Sequence, residues 1–364
     1  MNLKHFTIPL FIPMQGCPFD CVFCNQRNIT GQQHVMSDDE IGSKIESHLS
    51  TLPKENSIIE IGFFGGSFTG LPIDEQKHYL KLVQPWIESG EVTGIRLSTR
   101  PDYINAEILA ILKDNGVKTI ELGVQSMDDE MLRKAGRGHT AEDIQQAATL
   151  IKESGFSLGL QMMIGLPGDT IEKSMQTAQE IIKLEADSTR IYPTLVIRHT
   201  GLESLHKQGK FEPLSLEEAV NWCSKIVPLF EEAGVNILRL GLHPSEGILR
   251  GDELVAGPFH VAFGEMVYSK IWKNILRELK SEPSAEITIF MNPKQINHAI
   301  GHKGMNRKML ELRFGKVNFR GDDNLVGRRF VKTQIPSSKF QAPSQKSKAQ
   351  TVEFQPNPIN LLSN

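Results

Sequence analysis

Apolar runs alternate with helix-like stretches along the chain from Thr7 to about Leu242. The six runs are short and bounded by turn residues, and they read IPLFIP, SIIEIGFF, GIRLST, TIELGV, FSLGLQMMIG and STRIYPTLVI. Helical stretches lie between them at 37–52, 73–88, 104–115, 141–154 and 170–185. Such alternation indicates a parallel sheet with helices outside it. We therefore predict an α/β fold in which six strand–helix units form a partial (β/α)6 barrel.

Two of the predicted helices begin with a capping-box pattern. Ser37 is followed by Glu40, and Thr140 is followed by Asp143, three residues later in each case. In this pattern the two side chains bond each other's backbone N–H groups and fix the helix start.

Three cysteines, Cys17, Cys21 and Cys24, follow the first predicted strand in the string GCPFDCVFCNQ. Their spacing is C-x3-C-x2-C, and Phe23 stands immediately before the last of them. Three thiolates on one tight loop can hold three irons of a 4Fe–4S cluster, which leaves the fourth iron open to another ligand. In barrels of parallel strands, ligands bind at the carboxyl ends of the strands, where this loop begins.

Two other uses of clustered cysteines fit this chain less well. A structural zinc site needs four ligands, and the remaining cysteine, Cys223, lies about two hundred residues away. A disulfide set needs a secreted protein, and the N-terminal string MNLKHFTIPL has no long apolar core of a signal peptide. Zinc remains the main alternative to the cluster.

Composition places the chain among ordinary globular proteins of one large and one smaller domain. It has 364 residues, of which 39% are hydrophobic and 23% charged, with a formal net charge of -3. No run of about 18 apolar residues occurs, so we expect no membrane span. Free cysteines that hold an oxygen-sensitive cluster favour a reducing, cytoplasmic compartment.

The cysteine loop resembles the signature of the radical S-adenosylmethionine (SAM) superfamily. In that family the amino and carboxylate groups of SAM chelate the open iron. The reduced cluster then splits SAM into methionine and a 5′-deoxyadenosyl radical, which abstracts hydrogen from a substrate. The resemblance implies an enzyme with a 4Fe–4S cluster and SAM as cofactors, and with an electron donor such as flavodoxin or ferredoxin as partner. It makes Cys17, Cys21 and Cys24 the metal ligands and the catalytic residues.

Residues at successive strand ends are similar to the family's SAM site. The turn from Gly65 to Ser67 resembles the GGE-type turn that binds the amino group of SAM, with serine in place of the acidic residue. Arg100 is placed to pair with a carboxylate in a bidentate fork. Gln125 ends the fourth strand at the barrel mouth, and Gly165 opens a turn similar to the one that cradles adenine. The predicted cofactor-binding residues are Phe23, Gly65, Gly66, Ser67, Arg100, Gln125 and Gly165.

Three longer strings narrow the resemblance to the radical SAM domain of the Elongator catalytic subunit and its short bacterial relatives. They are STRPDYI, ELGVQSMDDEMLRKAGRGHT and IYPTLVIRHTGLESLHKQGKF, and the likeness runs from about residue 7 to 245. The Elongator subunit has a tRNA-binding domain before the cysteines, where this chain has sixteen residues, and it ends in an acetyltransferase domain that nothing here resembles. We therefore do not expect the acetyl-CoA-dependent carboxymethylation of tRNA uridine.

The segment after the barrel holds four residues that could be considered as a metal set, His243, Glu253, His260 and Glu265. Their spacing fits no tight motif. The turn-rich composition favours a loop that closes over the barrel mouth, in which His260 or Glu265 lines the substrate.

A small strand–helix–strand pattern follows at 285–335. Between Lys294 and Lys332 there are ten Lys or Arg and three Asp or Glu, the charge pattern of nucleic-acid binding. Gly301-His302-Lys303-Gly304 has the GxxG form with which a KH domain clamps a nucleotide backbone, although the rest of a KH pattern is not evident. From Ser337 the chain is polar and is expected to be disordered. The predicted domains are a radical SAM core at 1–245, a C-terminal substrate- or RNA-binding domain at 246–335, and a disordered tail at 336–364.

Three functions remain open from the sequence. The first is a radical SAM enzyme that acts on tRNA or other RNA, because the barrel is Elongator-like and the C-terminal module is basic. The second is a small-molecule oxidoreductase that resembles the oxygen-independent coproporphyrinogen dehydrogenases. The third is a non-catalytic iron–sulfur protein that binds RNA.

Overall fold

The computed structural model describes residues 4–12, 16–17, 21–30, 35–242, 245–280, 286–335 and 352–354. The chain forms two compact units, the first from Met1–Ala219 and Leu229–Val261 and the second from Val220–Pro228 and Ala262–Asn364. Residues 246–261, which the sequence assigned to the second domain, therefore belong to the first unit.

The first unit is built on a seven-stranded parallel sheet, in the spatial order β1-β2-β3-β4-β5-β6-β8. Strands are numbered along the chain, and these seven are β1 Lys4–Phe11, β2 Ser57–Phe64, β3 Gly94–Thr99, β4 Val117–Gln125, β5 Ser157–Ile164, β6 Ser188–Pro193 and β8 Asn236–Leu240. The sheet is a curled half-barrel, so the predicted radical SAM type of fold is confirmed.

Helices follow the strands of this sheet. Those that lie wholly in the first unit are α1 Gln26–Thr30, α2 Asp38–Leu49, α3 Ile73–Leu82, α4 Gln84–Glu88, α5 Ala106–Asp114, α6 Asp129–Lys134, α7 Ala141–Glu153, α8 Ile171–Lys183, α9 Gly201–Lys207 and α11 Glu246–Arg250. Helix α10, Leu216–Glu232, contributes to both units. Short 3-10 helices occupy Phe68–Gly70 and Pro101–Tyr103.

Both predicted capping boxes are confirmed. The Ser37 hydroxyl accepts a hydrogen bond from the backbone N–H of Glu40, and the Ser37 N–H donates one to the Glu40 carboxylate. Thr140 and Asp143 do the same at the start of α7. These reciprocal bonds satisfy backbone donors that the first turn of a helix leaves without partners.

The structure has one more parallel strand than the six predicted. Strand β8 has only half-buried or exposed residues, so it lacks the apolar run that marked the others. The predicted single strand STRIYPTLVI is also divided, because Thr194 turns away and bonds the carbonyl of Ile164. Its end forms β7, Val196–Ile197, which pairs antiparallel with β9, Leu254–Ala256.

Alternate residues of the central strands have opposite character. One set is apolar and fully buried, for example Ile61, Leu97 and Ile120. The other set carries charged and polar groups that bond one another across the concave side, such as Glu60 and Arg96. The sheet therefore has an apolar helix-facing side and a polar lumen.

The second unit contains a four-stranded sheet in the order β11-β10-β12-β13, with β10 parallel to β11 and antiparallel to β12. Its elements are α12 Phe263–Arg277, β10 Glu286–Met291, α13 Ile296–Ile300, α14 Met305–Phe314, β11 Val317–Gly321, β12 Phe330–Ile335 and β13 Val352–Phe354. The single predicted helix is two helices, which meet at a 3-10 turn at His302–Gly304.

Two sequence-based expectations concern segments at the edge of the described residues. The tail at 336–364 lies outside them except for β13, which pairs with β12. His243 also lies outside them. Among the described residues, no helix is both long and apolar enough to cross a bilayer.

Candidate active site at the cysteine loop

The start of the cysteine loop packs tightly against the turn that follows β2. A Cβ atom added to Gly16 would lie 2.2 Å from the carbonyl oxygen of Ser67, and one added to Gly70 would lie 2.1 Å from the carbonyl oxygen of Gly16. Gly16 also has φ +68°, a conformation that favours glycine. Cys17, the next residue, is thereby placed at the carboxyl end of the sheet.

The middle of the loop is fixed by two backbone hydrogen bonds at Val22. Its N–H donates to the carbonyl of Ala135 at the end of α6, and its carbonyl accepts from Leu202 N–H at the start of α9. Phe23 packs against two apolar clusters, one that includes Leu166 and one that includes Leu202. In this structure Phe23 therefore anchors the loop, and its predicted contact with the cofactor stays a prediction.

The three thiols influence one another electrostatically. Burial raises the pKa of Cys24 to about 12, and the neighbouring Cys21 and Cys17 contribute to this rise. Burial and then Cys21 raise the pKa of Cys17. Among the described residues, no three His, Cys, Asp or Glu side chains are gathered closely enough to hold a metal ion. The assignment of the three cysteines as ligands therefore rests on their spacing along the chain.

Arg137 contacts the cysteine loop directly and was missed as a site residue. Its Nη1 donates to the Cys21 Sγ at 3.4 Å, and its Nη2 donates to the carbonyl of Gly123 near the end of β4. The residue is 7% exposed. The only signal in the sequence was its position in the Elongator-like string AGRGHT, because 116 residues separate the arginine from the cysteine it contacts.

Arg100 is held by partners within the protein. Its guanidinium makes two 2.9 Å bonds to the Asp102 carboxylate and also donates to the Arg137 carbonyl. His139 lies beside this pair, and burial, followed by the charges of Arg137 and Arg100, lowers its pKa to about 4. His139 is therefore neutral at physiological pH. The proposed pairing of Arg100 with the carboxylate of SAM stays a prediction, and it requires the guanidinium to share its present contacts.

Ser67 is engaged between two strand ends. Its hydroxyl lies 3.1 Å from the Thr99 hydroxyl and accepts from the backbone N–H of Arg100. The side chain is 1% exposed, so it ties the turn after β2 to the end of β3. Gly65 has φ +87°, which the turn requires, and Gly66 lies between these two residues. Their roles towards the amino group of SAM stay predictions.

Gln125 has two features expected of a ligand-binding residue. It has φ +66° at the end of β4, although it is not a glycine. Its Oε1 is buried and has no hydrogen-bond partner in the part of the chain that the structure describes. Strained backbone and unsatisfied buried polar atoms occur together at functional sites. The side-chain amide lies beside Gly123, as does the guanidinium of Arg137.

The turn after β5 is held by Asp169, which the sequence analysis did not single out. The carboxylate accepts a 2.7 Å bond from the Gly165 N–H and a 2.8 Å bond from the Ser174 hydroxyl. A Cβ at Gly165, which has φ +76°, would meet the Leu214 side chain at 2.9 Å. Burial raises the pKa of Asp169 to about 6.

A charged network lines the lumen below these strand ends. Arg96 bonds both Glu60 and Glu121, each at 3.0 Å. Arg190 donates two further bonds to Glu121, and Gln161 donates another at 2.9 Å. Burial alone would raise the pKa of Glu121, but Arg190 and Arg96 outweigh it and the pKa is lowered. Glu121 is therefore ionised, and it lies between the guanidinium groups of Arg96 and Arg190.

The network reaches the Elongator-like string through Tyr192. The residue is half-buried and interacts with Arg190. Burial raises the pKa of the Tyr192 phenol, so it is neutral and able to donate a hydrogen bond. Tyr192 thus places a neutral phenol beside the charged network.

The residues considered as a metal site after the barrel, His243, Glu253, His260 and Glu265, are not placed together by the structure among its described residues. Glu253 bonds the Asn28 side chain, which joins the segment after the barrel to the helix after the cysteines. Glu265 lies 3.3 Å from His302 within the second unit. His260 lies in the first unit, and His243 is outside the described residues.

Comparisons with known proteins assign the family. A model of the radical SAM superfamily matches residues 11–181, and a model of the radical SAM C-terminal domain matches residues 186–273. An uncharacterised protein of Methanocaldococcus jannaschii is 30% identical over 232 residues, which are 60% of this chain and 70% of that one. The chain belongs to the radical SAM superfamily. As a member it is an enzyme, and the cofactors of the family are those predicted, a 4Fe–4S cluster and SAM.

Two named relatives are a tRNA uridine(34) acetyltransferase and an Elongator complex protein. A tRNA uridine(34) acetyltransferase of Methanocaldococcus infernus is 31% identical over 193 residues, and human Elongator complex protein 3 is 30% identical over 192 residues. Each match covers 47% of this chain. The chain spans only 36% and 35% of the length of these two relatives. The predicted resemblance to the Elongator subunit is confirmed.

A solved structure supports the same relationship. The Methanocaldococcus infernus Elp3 with its N-terminus deleted superposes with a TM-score of 0.58 at 25% sequence identity. The match covers 75% of this chain and 64% of that one. It therefore extends beyond the part of the sequence that aligns with the acetyltransferase.

Changing Gly16 to alanine should prevent assembly of the radical SAM site. The added Cβ would collide with the Ser67 carbonyl, and the positive φ would cost about 1–2 kcal/mol more. Gly90→Ala is the matched control, because Gly90 has φ +77° and nothing within 4 Å of its Cβ position. After anaerobic reconstitution, we expect Gly16→Ala to lose most of its iron and Gly90→Ala to keep it. Equal iron contents would contradict the proposed placement of the loop.

Changing Asp169 to asparagine should alter how stability depends on pH. The pKa of Asp169 is raised from 3.8 to about 6, so folding favours its protonated form. This contribution is fully present below pH 3.8 and is lost as pH rises through about 6. Relative to Asp169→Asn, the wild type should lose on the order of 2–3 kcal/mol in free energy of unfolding between about pH 4 and 7, measured by urea titration. A constant difference across this range would show that the carboxyl is not perturbed.

Proposed function

We propose that this radical SAM enzyme cleaves SAM at a cluster held by Cys17, Cys21 and Cys24, and that its substrate is RNA, specifically tRNA. One observation carries the first part: the cysteine loop lies at the carboxyl ends of the parallel strands. Arg137 bonds Cys21 of this loop, and the nearby Gln125 has a buried Oε1 without a hydrogen-bond partner among the described residues. Ligand sites of parallel barrels occupy this end.

The donor set fits a 4Fe–4S cluster. Three cysteines on one loop supply three thiolates, which is one fewer than the number of irons and leaves one iron for SAM. When bound and reduced, the cluster supplies the electron that cleaves SAM. Arg137 donates a hydrogen bond to the sulfur of Cys21, and such bonds to cluster sulfurs stabilise negative charge and tune the reduction potential.

The residues at the strand ends have distinct proposed roles towards SAM. The Gln125 Oε1 is a buried acceptor that can receive a hydrogen bond from the ligand. Asp169 positions the backbone turn at Gly165, where a side chain would collide with Leu214, and this turn is proposed to cradle the adenine. Gly65, Gly66, Ser67 and Arg100 are proposed to receive the amino and carboxylate groups, as predicted from the sequence.

The lumen network is proposed to define the floor of the substrate pocket. Two carboxylates, Glu60 and Glu121, face the two guanidinium groups of Arg96 and Arg190, so the floor is nearly balanced in charge. Tyr192 adds a neutral phenol to this floor. An array of fixed donors and acceptors suits a polar ring such as a nucleobase, whose edges carry the complementary groups.

The RNA substrate is supported by the relatives. A tRNA uridine(34) acetyltransferase shares 193 residues of aligned sequence with this chain, and this likeness is the basis of the proposal. Acetyl transfer is not part of the proposal, because the match spans 36% of that enzyme. We propose a flavodoxin or ferredoxin as the electron donor, which would place the enzyme in the cytoplasm.

The experiment measures 5′-deoxyadenosine formed from SAM by the anaerobically reconstituted, reduced enzyme. We expect slow formation by the enzyme alone and faster formation when an unmodified tRNA transcript is added. DNA of the same sequence is the matched control and should not stimulate the reaction. Stimulation by a porphyrinogen but not by tRNA would favour the small-molecule alternative. An intact, reduced cluster that yields no 5′-deoxyadenosine would favour the non-catalytic RNA-binding alternative.

A further inference from the structure

The second unit arranges its elements around the GxxG segment in an order that suits RNA binding. Strand β10 leads into α13, the segment Gly301–Gly304 joins α13 to α14, and α14 leads into β11. Strands β10 and β11 are parallel neighbours, and β12 covers the other edge of β10. A GxxG loop between two helices in a strand–helix–helix–strand unit is the arrangement with which KH domains hold a nucleotide backbone. The GxxG segment, which the sequence matched to KH domains only over four residues, therefore lies between two helices and two strands in the same order as in a KH domain.

We propose that the second unit binds single-stranded RNA across this GxxG loop and the adjoining face of α14 and β11. This surface would be a second place at which the protein contacts RNA, in addition to the proposed active site. The proposal rests on the proposed function only in the choice of RNA as ligand. Binding at this surface requires neither the cluster nor SAM.

Hydrogen bonds to Ser269 of α12 hold one side of the loop, and the other side is open at Gly304. The His302 N–H donates to the Ser269 hydroxyl at 2.8 Å, and the Asn306 side-chain amide donates to the Ser269 carbonyl at 2.9 Å. A Cβ at Gly301 would lie 2.7 Å from the Asn306 side chain, whereas one at Gly304 would have nothing within 4 Å. The backbone at Gly304 can therefore be approached closely by another chain.

The loop also presents a lysine in an uncommon conformation. Lys303 has φ +53° and is exposed, and the glycines at both ends of the loop also have positive φ. A non-glycine residue is uncommon in this region of φ and persists where surrounding structure or function requires it. The loop therefore carries an exposed cation, and a phosphate is a partner that such a cation recognises.

The sequence of the loop and of the start of α14 is positively charged, and Glu265 of α12 lies against the His302 side chain of the same loop. Residues 301–310 contain Lys303, Arg307 and Lys308 and no Asp or Glu. The first turn of α14 carries no acidic residue, so its backbone donors add to the same field. This local charge complements a phosphate backbone.

A mixed polar and apolar strip next to the loop favours unpaired nucleotides. The Arg307 guanidinium lies 5.6 Å from the centre of the Phe319 ring on β11, and its Nε has no hydrogen-bond partner among the described residues. Met305, beside the loop, is 49% exposed. Bases splayed from a single strand can stack on such groups, whereas the bases of a duplex are already stacked on each other. The partner is therefore single-stranded rather than double-stranded RNA.

The test compares Lys303→Asp with Arg277→Asp in the full-length, anaerobically purified protein. Both substitutions make the same charge change at an exposed position of the second unit. Arg277 lies at the end of α12, where Arg313 near the end of α14 bonds its carbonyl, so it is remote from the loop. The probe is a fluorescent single-stranded RNA, and anisotropy gives Kd over a range of salt concentrations without reductant or SAM.

We expect Lys303→Asp to weaken RNA binding by about tenfold and to flatten the salt slope by about 0.7 log units for each phosphate that is no longer neutralised. Arg277→Asp should stay within about threefold of the wild type, as a nonspecific charge effect would allow. Lys303→Gln should be intermediate, and matching circular dichroism would exclude misfolding. Equal Kd values for wild type and Lys303→Asp, equal weakening by both Asp variants, or preference for duplex RNA would each overturn the proposal.

The outcome is independent of SAM cleavage. If the surface binds RNA but no 5′-deoxyadenosine forms, the proposed catalysis fails and the binding surface stands. If tRNA stimulates SAM cleavage equally in wild type and Lys303→Asp, and their Kd values for single-stranded RNA are equal, the binding surface fails and the proposed function stands.

Discussion

Protein in which Cys17, Cys21 or Cys24 is replaced by alanine is expected to retain no 4Fe–4S cluster after anaerobic reconstitution. The wild type should hold about four irons and four sulfides. Each cysteine supplies one of three protein bonds to the cluster, so removal of one leaves too few ligands. Iron and sulfide analysis, together with the visible absorption of the cluster, measures this directly.

The matched control is Cys223→Ala. Cys223 is buried in α10 and belongs to the second unit, so its removal should leave the iron content unchanged. Absence of the cluster in this variant, or a zinc content near one without iron in the wild type, would contradict the assignment of the loop. The second result would restore the zinc alternative.

Glu121→Ala is expected to cause the largest decrease of stability in the barrel. The carboxylate accepts bonds from Arg96, Arg190 and Gln161 and is 1% exposed. Its removal leaves the buried guanidinium of Arg96 and the half-buried guanidinium of Arg190 with Glu60 as the remaining carboxylate of the network. Breaking a buried ion pair by removing one partner typically costs about 3–5 kcal/mol, because the remaining charge is uncompensated. Urea unfolding measures this free energy.

The control for Glu121 is an ion pair on the surface. Glu130 pairs with Lys134 and Lys173 on exposed faces, so Glu130→Ala should leave the unfolding free energy nearly unchanged. Glu121→Gln keeps the size of the side chain and removes its charge, and it should be intermediate between the alanine variant and the wild type. Equal effects of Glu121→Ala and Glu130→Ala would show that the lumen network does not stabilise the barrel.

The parts of the structure that the sequence predicts depend on local patterns. Five of the six apolar runs and the first part of the sixth lie in parallel strands, because their apolar side chains are buried on the helix side of the sheet. The boxes at Ser37 and Thr140 were confirmed because a capping box is formed by residues three positions apart. The cysteine triad is equally local, since its residues lie on one loop.

The parts that the sequence did not predict depend on contacts between distant residues. Arg137 reaches Cys21 across 116 positions, and Glu121 meets Arg190 across 69. Arg100 carried a predicted role, yet its neighbour Asp102, two residues away, binds its guanidinium in the folded protein. Strand β8 was not predicted because its residues are only partly buried.

The two compact units carry different candidate sites. The sequence indicated this difference only through the excess of basic residues between Lys294 and Lys332. The first unit carries the cysteine loop and the lumen network, and the second carries the positive GxxG loop. In the second unit the decisive feature was the order of elements. The helix predicted across the GxxG segment is broken there because three of its four residues, Gly301, Lys303 and Gly304, have positive φ.

Transfer of hydrogen from RNA to 5′-deoxyadenosine tests the central claim most directly. The measurement uses reduced, cluster-loaded enzyme with SAM and a tRNA transcript made from deuterated nucleotides, and it reads the mass of the 5′-deoxyadenosine formed. The account predicts product that carries one deuterium, in the wild type and not in Cys21→Ala. Undeuterated 5′-deoxyadenosine at an unchanged rate with and without tRNA, from an enzyme whose cluster is intact, would contradict it.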